Sequence, residues 1–158
     1  MRKSQILAIL ILLLLFSSCK EKNEQGKWIK GTPKQQLEMI EWQFRGFDKA
    51  MVETDHRYQE LYFAGKDQNW EYADYSNKKI KKALKTGFQR RPKREKSAKH
   101  FLEHTLPEMD KAIKSKDTVA FINAFDNMTQ DCNACHALDK MSFFMVKTPL
   151  QRQTSIRK

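Results

Sequence analysis

Apolar residues recur every three or four positions along four stretches of the chain, starting just after Pro33. This spacing is typical of one face of an α-helix, and no stretch shows the apolar-polar alternation of a half-buried strand. The first stretch predicts one long helix from about Pro33 to Tyr62, with alternating three- and four-residue steps between its apolar positions. The pattern therefore predicts an all-α protein.

Turn and capping residues separate the other three predicted helices. Asp67 can cap a second helix that Gly87 ends, and Asp117 can cap a fourth. The third is interrupted by Pro107, which lacks a backbone donor and should kink the helix. Because the connections are short, consecutive helices are expected to be antiparallel. The predicted fold is an up-down-up-down four-helix bundle over residues 33–145.

The last predicted helix carries the most specific motif in the chain, CNACH at residues 132–136. Residues three and four apart share a helix face, so Cys132 and Cys135 can bond the vinyl groups of one porphyrin while His136 ligates its iron. The motif has the spacing of a c-type haem attachment site. The cysteines continue an apolar stripe that begins at Phe121, which should turn them toward the core. One covalent haem c is the predicted cofactor.

Three other chemistries use two cysteines at this spacing. A thioredoxin-like redox pair would lie at the start of a helix that follows a strand, and no strand is predicted. His100 and His104, one turn apart on the third helix, could join the two cysteines in a tetrahedral zinc site. A disulfide within one regular helix would strain the preferred sulfur geometry. Haem attachment is the favoured interpretation.

The group on the other face of the iron decides what a haem can do. At about 1.5 Å per residue, counted from the shared end of the first and last helices, His136 should be level with Gln43. The inward side chains near that height are those of Phe44, Phe47 and Met51. Met51 would be a thioether sixth ligand suited to electron transfer, whereas the two phenylalanines would leave a five-coordinate iron in an apolar pocket.

The amino-terminal residues have the composition of a bacterial export signal: a basic start, an apolar run at residues 6–16 and small residues before Cys19. The run is shorter than the roughly 20 apolar residues that a spanning helix needs. Residues 1–18 are therefore predicted to be a lipoprotein-type signal peptide, and 19–32 a lipidated cysteine followed by a polar tether. The alternative is ordinary cleavage near Ser18, which would leave Cys19 as a free thiol.

Charge adds a prediction about partners. The chain has a formal net charge of +11, and residues 146–158 form a basic tail. Eleven lysines and arginines crowd the stretch from Lys78 to Lys99, where only Glu95 offsets them. Such a surface steers encounters with polyanions. Because export makes nucleic acid an improbable partner, the expected partners are acidic redox proteins. The alternative is that these basic residues form an ordinary solvated surface.

With CxxCH near the carboxyl end of an apparent four-helix bundle, the chain resembles class II cytochromes, the family of cytochrome c′ and its methionine-ligated relatives. The resemblance covers Leu37 to Lys140. It implies that Cys132 and Cys135 bind the haem covalently and that His136 is the proximal ligand. It further implies an electron carrier or a binder of small gaseous ligands, and a possible homodimer.

Residues 63–65, 69–75 and 124–136 also resemble a group of exported single-haem proteins of undefined role. In that group a histidine often stands where this chain has Tyr58, which is expected here to be a core aromatic residue.

The sequence thus predicts a non-enzymatic electron carrier with one haem c, lipid-anchored at Cys19 to the inner or outer membrane and facing the periplasm or the cell exterior. The alternatives are a haem protein that binds or senses NO or CO, and a zinc-binding structural lipoprotein.

Overall fold

The computed structural model describes residues 26–156, and every regular element within them is a helix. The all-α prediction is confirmed, with no strand between residues 26 and 156. The chain divides after Phe44 into two compact units, so the boundary predicted at residue 33 lies inside the first of them. The predicted signal peptide and Cys19 lie outside the described residues.

The first unit contains helix α1, Pro33–Phe44. A reciprocal capping box starts it: the Thr32 N–H donates to Oε1 of Gln35 (2.8 Å), and the Gln35 N–H donates to the Thr32 hydroxyl (3.3 Å). No residue of α1 is buried, although its apolar residues follow helical spacing.

The predicted continuous helix from Pro33 to Tyr62 is wrong. Arg45 has φ of 60°, in the left-handed region, which ends the α-helical hydrogen bonding after Phe44. The Asp48 carboxylate then accepts a hydrogen bond from the Gly46 N–H at 3.0 Å, as a new helix begins. Apolar periodicity alone could not locate this break, because the pattern stays in phase across it.

The described part of the second unit contains four longer helical segments and one short 3-10 helix, Pro92–Arg94. The longer segments are α2 (Asp48–Lys66), α3 (Trp70–Arg90), a π-helical turn (Phe101–Thr105) continuing into α4 (Leu106–Ser115), and α5 (Thr118–Leu138). This number of helices is compatible with a helical bundle. None of the helices within residues 26–156 has both the length and the apolar character that crossing a bilayer requires.

The helix ends show which capping predictions hold. Asp117 caps α5 as predicted, with its carboxylate accepting from the Val119 N–H at 2.7 Å. Asn69, rather than Asp67, caps α3. Gly87 does not end α3 but lies buried within it, where an added Cβ would come 2.7 Å from the Cβ of Ala50. The glycine therefore permits close helix packing rather than a turn.

The core of the second unit lies between these helices. The predicted stripe on α5 is buried, with Phe121, Phe125 and Met128 fully inaccessible to solvent. Pro107 lies in the first turn of α4, directly after the π-helical turn, so the predicted irregularity near it is present. Burial of the stripe fixes the orientation of α5, and therefore of the motif at its carboxyl end.

Lys116 offers a test of backbone strain. It adopts φ of 55° directly after α4, and its N–H donates to the carbonyl of Ile113 at 3.1 Å. The left-handed conformation costs a non-glycine residue about 1 kcal/mol. Lys116→Gly should therefore raise the free energy of unfolding by about that amount, as measured by chemical denaturation. The control, Lys111→Gly at an exposed position inside α4, should lower it by about 1 kcal/mol. A destabilised Lys116→Gly variant would contradict the strain argument.

Candidate functional site

The two cysteines of the motif lie on the face of α5 that packs against the core. Cys132 and Cys135 are half-buried, and neither forms a disulfide. Their position continues the buried stripe of Phe121 and Phe125, as the sequence predicted. The structure therefore presents two reduced thiols, one helical turn apart, on one face of one helix.

Burial keeps both thiols protonated at neutral pH. Burial, reinforced by Cys135 and Asp131, raises the pKa of Cys132 to about 12. Burial and the nearby carboxylate of Asp139 raise the pKa of Cys135 to about 11, against a smaller opposing effect of Arg94. Redox-active cysteine pairs depend on a lowered pKa. These thiols therefore lack the feature that a thioredoxin-like function needs.

The zinc alternative lacks a ligand set in this structure. The rings of His100 and His104 stack on each other with centroids 5.0 Å apart, and Nε2 of His100 lies 3.6 Å from the Asp131 carboxylate. Within residues 26–156, no three side chains of histidine, cysteine, aspartate or glutamate are grouped to bind one metal ion. The two histidines and two cysteines do not assemble as a tetrahedral site.

His136 is oriented by a backbone carbonyl. Its Nδ1 lies 2.6 Å from the carbonyl oxygen of Phe144. Because a carbonyl can only accept a hydrogen bond, this contact requires the proton on Nδ1, and in the neutral ring Nε2 then keeps its lone pair. Histidines that ligate metals have this arrangement, in which the second ring nitrogen donates to a carbonyl or carboxylate. The imidazole is thus held in the tautomer that an iron ligand requires.

A tight turn at the end of α5 brings Phe144 back to the histidine. Lys140 has φ of 60°, its N–H donates to the Ala137 carbonyl at 3.0 Å, and the Met141 N–H donates to the His136 carbonyl at 2.7 Å. These bonds satisfy carbonyls that the last helical turn leaves without partners. The chain therefore reverses immediately after the motif, which sequence reasoning missed because no glycine marks the turn.

Contacts between α2 and α5 show which residues of α2 are level with the motif. The hydroxyl of Tyr58 lies 2.6 Å from that of Thr129. One turn further along α2, the ring of Tyr62 contacts that of Phe125, one turn earlier on α5, with centroids 4.9 Å apart. Residue numbers therefore rise along α2 as they fall along α5 at this contact.

Continuing this register places Met51, not Gln43, level with His136. Met51 lies seven residues before Tyr58, and His136 lies seven residues after Thr129, so both steps cover the same length of helix. The height predicted from the sequence is wrong by about two turns, because Tyr62 lies against Phe125 rather than level with Asp117 at the start of α5. Met51 is half-buried and packs against the core.

The other two predicted distal residues have different positions. Phe47 is half-buried just before α2, with its ring stacked on that of Phe88 at a centroid distance of 5.2 Å. Phe44 is an exposed residue of the other compact unit. The unit that carries the motif thus contains Met51 and Phe47 but not Phe44.

Tyr58 is a core residue, as expected from its position. It is 4% exposed, and its ring contacts that of Phe125 with centroids 4.6 Å apart. Burial raises the pKa of its hydroxyl well above the ordinary value, against the lowering effect of its bond to Thr129. Its phenol joins α2 to α5 one turn from Cys132.

The connection between α3 and the π-helical turn, residues 91–100, is basic and adjoins the motif end of α5. Arg94 forms an ion pair with Asp139 at 2.9 Å, and the hydroxyl of Ser97 donates to the same carboxylate at 2.6 Å. Asp139 is three residues past His136. At least one positive charge of the basic stretch, that of Arg94, therefore lies beside the motif end of α5.

No protein-family model matches this chain, and neither does any curated protein or solved structure. The assignment of a function therefore depends on the motif and on the geometry around it.

Proposed function

We propose that this chain is a c-type cytochrome that binds one haem through Cys132, Cys135 and His136 and carries electrons at a bacterial membrane. The observation that carries the proposal is the 2.6 Å contact between Nδ1 of His136 and the Phe144 carbonyl, beside two reduced thiols on the same helix. It leaves Nε2 available as a ligand. When bound, the haem supplies a one-electron iron couple.

Different residues of the chain would attach the haem and ligate its iron. The thiols of Cys132 and Cys135 would form thioether bonds, which attach the group to a helix whose stripe is fully buried. His136 would be the proximal ligand. Half-burial of the thiols among apolar side chains excludes part of the solvent, which also influences reduction potential.

The proposed arrangement of the helices is an up-down-up-down bundle. Side-chain bonds between neighbouring segments support it: the Asn77 amide of α3 donates to the Leu106 carbonyl at 3.2 Å, and the Thr105 hydroxyl donates to Asp131 of α5 at 2.6 Å. Such contacts between consecutive segments are expected when the connections are short.

The proposed location is the outer side of a membrane, with lipid on Cys19 and a polar tether to the helices. Arg94 and the rest of the basic connection would form a docking surface for an acidic redox partner next to the motif. Electrostatic steering raises association rates without requiring tight binding, which suits a carrier that must release its partner.

The decisive experiment is expression of the full chain in a bacterium that has c-type haem maturation. We expect haem that stays attached on a denaturing gel and a low-spin spectrum that carbon monoxide does not change. A chain with no covalent haem would overturn the proposal. A high-spin spectrum that carbon monoxide alters would instead establish the gas-binding alternative, for which Phe47, stacked on Phe88, would contribute an apolar wall.

Met51 is the proposed sixth ligand, because the register of α2 against α5 makes it level with His136. Met51→Ala should therefore convert the iron from low to high spin, as read from the visible absorption spectrum. Met39→Ala, at an exposed position in α1, is the matched control and should leave the spectrum unchanged. An unaltered low-spin spectrum in Met51→Ala would reject this ligand.

A further inference from the structure

The chain beyond α5 returns along the helices as a segment, residues 141–147, that is fixed mainly by one side chain. The Asn133 amide donates from Nδ2 to the Val146 carbonyl at 3.0 Å, and the Val146 N–H donates to Oδ1 of Asn133 at 2.8 Å. Both polar groups of one asparagine thus pair with both backbone groups of one residue. Asn133 lies between the two cysteines of the motif.

Apolar burial does little to hold the part of this return segment nearest the histidine. Phe143, Phe144 and Met145 are 72%, 56% and 63% exposed, and only Val146 packs against the core. The position of the Phe144 carbonyl therefore depends on the hydrogen bonds on either side of it. Those bonds are the one from the Phe144 N–H to the Met141 carbonyl (2.9 Å), the other bonds of the turn after α5, and the Asn133 pair.

Other anchors of the carboxyl-terminal chain lie further from the histidine. The Tyr58 hydroxyl donates to the Lys147 carbonyl at a long 3.5 Å. The Arg152 guanidinium pairs with Asp67 at 2.7 Å and lies over the ring of Phe63. These contacts fix residues after Val146, so Asn133 is the side chain that holds the return segment two residues from Phe144.

We propose that Asn133 is a positioning residue for His136, acting through the Phe144 carbonyl. The Asn133 pair holds residue 146, the return segment then places the Phe144 carbonyl 2.6 Å from Nδ1, and that bond fixes the orientation of the imidazole. This inference rests on the proposed function, since it concerns the ligand of the haem. A hydrogen bond to the second nitrogen makes the imidazole a stronger donor, which favours the oxidised iron and lowers the reduction potential.

The test compares the haem-loaded wild-type chain with Asn133→Ala and with Asn127→Ala, an exposed asparagine on the same helix. Two quantities are measured, the hydrogen exchange rate of the Val146 amide by mass spectrometry or NMR and the reduction potential by redox titration. In Asn133→Ala we expect exchange at Val146 to be about tenfold faster, the equivalent of one hydrogen bond, and the potential to rise. In Asn127→Ala both should match the wild type.

The outcomes separate this inference from the function on which it rests. Haem bound in all three chains with equal potentials would overturn the positioning role, and so would unchanged exchange at Val146 in Asn133→Ala. Equal potential shifts in the two variants would also overturn it. A wild-type chain without covalent haem would defeat the proposed function, and the positioning role would fall with it.

Discussion

Replacing Cys132 and Cys135 together by serine should abolish covalent haem binding. A serine hydroxyl has nearly the shape of a thiol but does not add to a porphyrin vinyl group, so no thioether forms. Each single substitution should leave one bond and an altered spectrum. Haem staining after denaturing electrophoresis, with the intact mass of the chain, measures the loss, and circular dichroism checks that the helices persist.

The matched control replaces His100 and His104 by alanine. These histidines stack on each other on the third helical segment rather than grouping with the cysteines, so the double variant should keep its haem. Full covalent haem in the double serine variant would mean that the cysteines are not its attachment points. Loss of haem in the histidine variant would show that this pair matters to the site.

The fold class and the motif helix could be predicted from sequence because both depend on local patterns. Asp117 caps α5, and the stripe from Phe121 through Cys135 faces the core, as helical spacing requires. Such features need only residues a few positions apart. A motif within one helix is therefore the part of a site that sequence reasoning reaches best.

The break at Arg45 shows where periodicity fails. Apolar residues on either side of it stay in one helical phase, yet Phe44 is exposed and Phe47 is half-buried in the second unit. A single left-handed residue divides the helix. Arginine is not a residue that marks such a conformation, although Gly46 and the capping carboxylate of Asp48 beside it are weak signals.

The register of α2 against α5 could not be obtained by counting residues from helix ends. It is set by side-chain contacts such as that between Tyr58 and Thr129, which are far apart in sequence. The hydrogen bond from His136 to the Phe144 carbonyl is a similar case. It involves a backbone group, which any residue type would supply, so the sequence contains no sign of it.

Gly65→Ala should destabilise the second unit strongly, because α2 and α5 touch at this glycine. A Cβ there would lie 2.1 Å from a ring carbon of Phe121, which is fully buried and cannot move aside. Overpacking of this kind typically costs about 1–3 kcal/mol, and contact with a confined aromatic ring favours the upper end, about 3 kcal/mol of unfolding free energy. Chemical denaturation followed by circular dichroism measures it.

A double-mutant cycle with Phe121→Leu identifies the cause. Leucine removes the ring atoms that the new Cβ would meet, so Gly65→Ala should cost clearly less in that background than in the wild type. Gly46→Ala, where the nearest atoms belong to the exposed side chains of Arg91 and Asp48 and lie at least 3.2 Å away, is the mild control. Equal costs of Gly65→Ala in both backgrounds would show that the clash with Phe121 is not the reason. Since Gly65 and Phe121 lie where α2 meets α5, we expect Gly65→Ala also to displace Met51 relative to His136. The low-spin spectrum expected of the haem-loaded chain should then weaken along with stability.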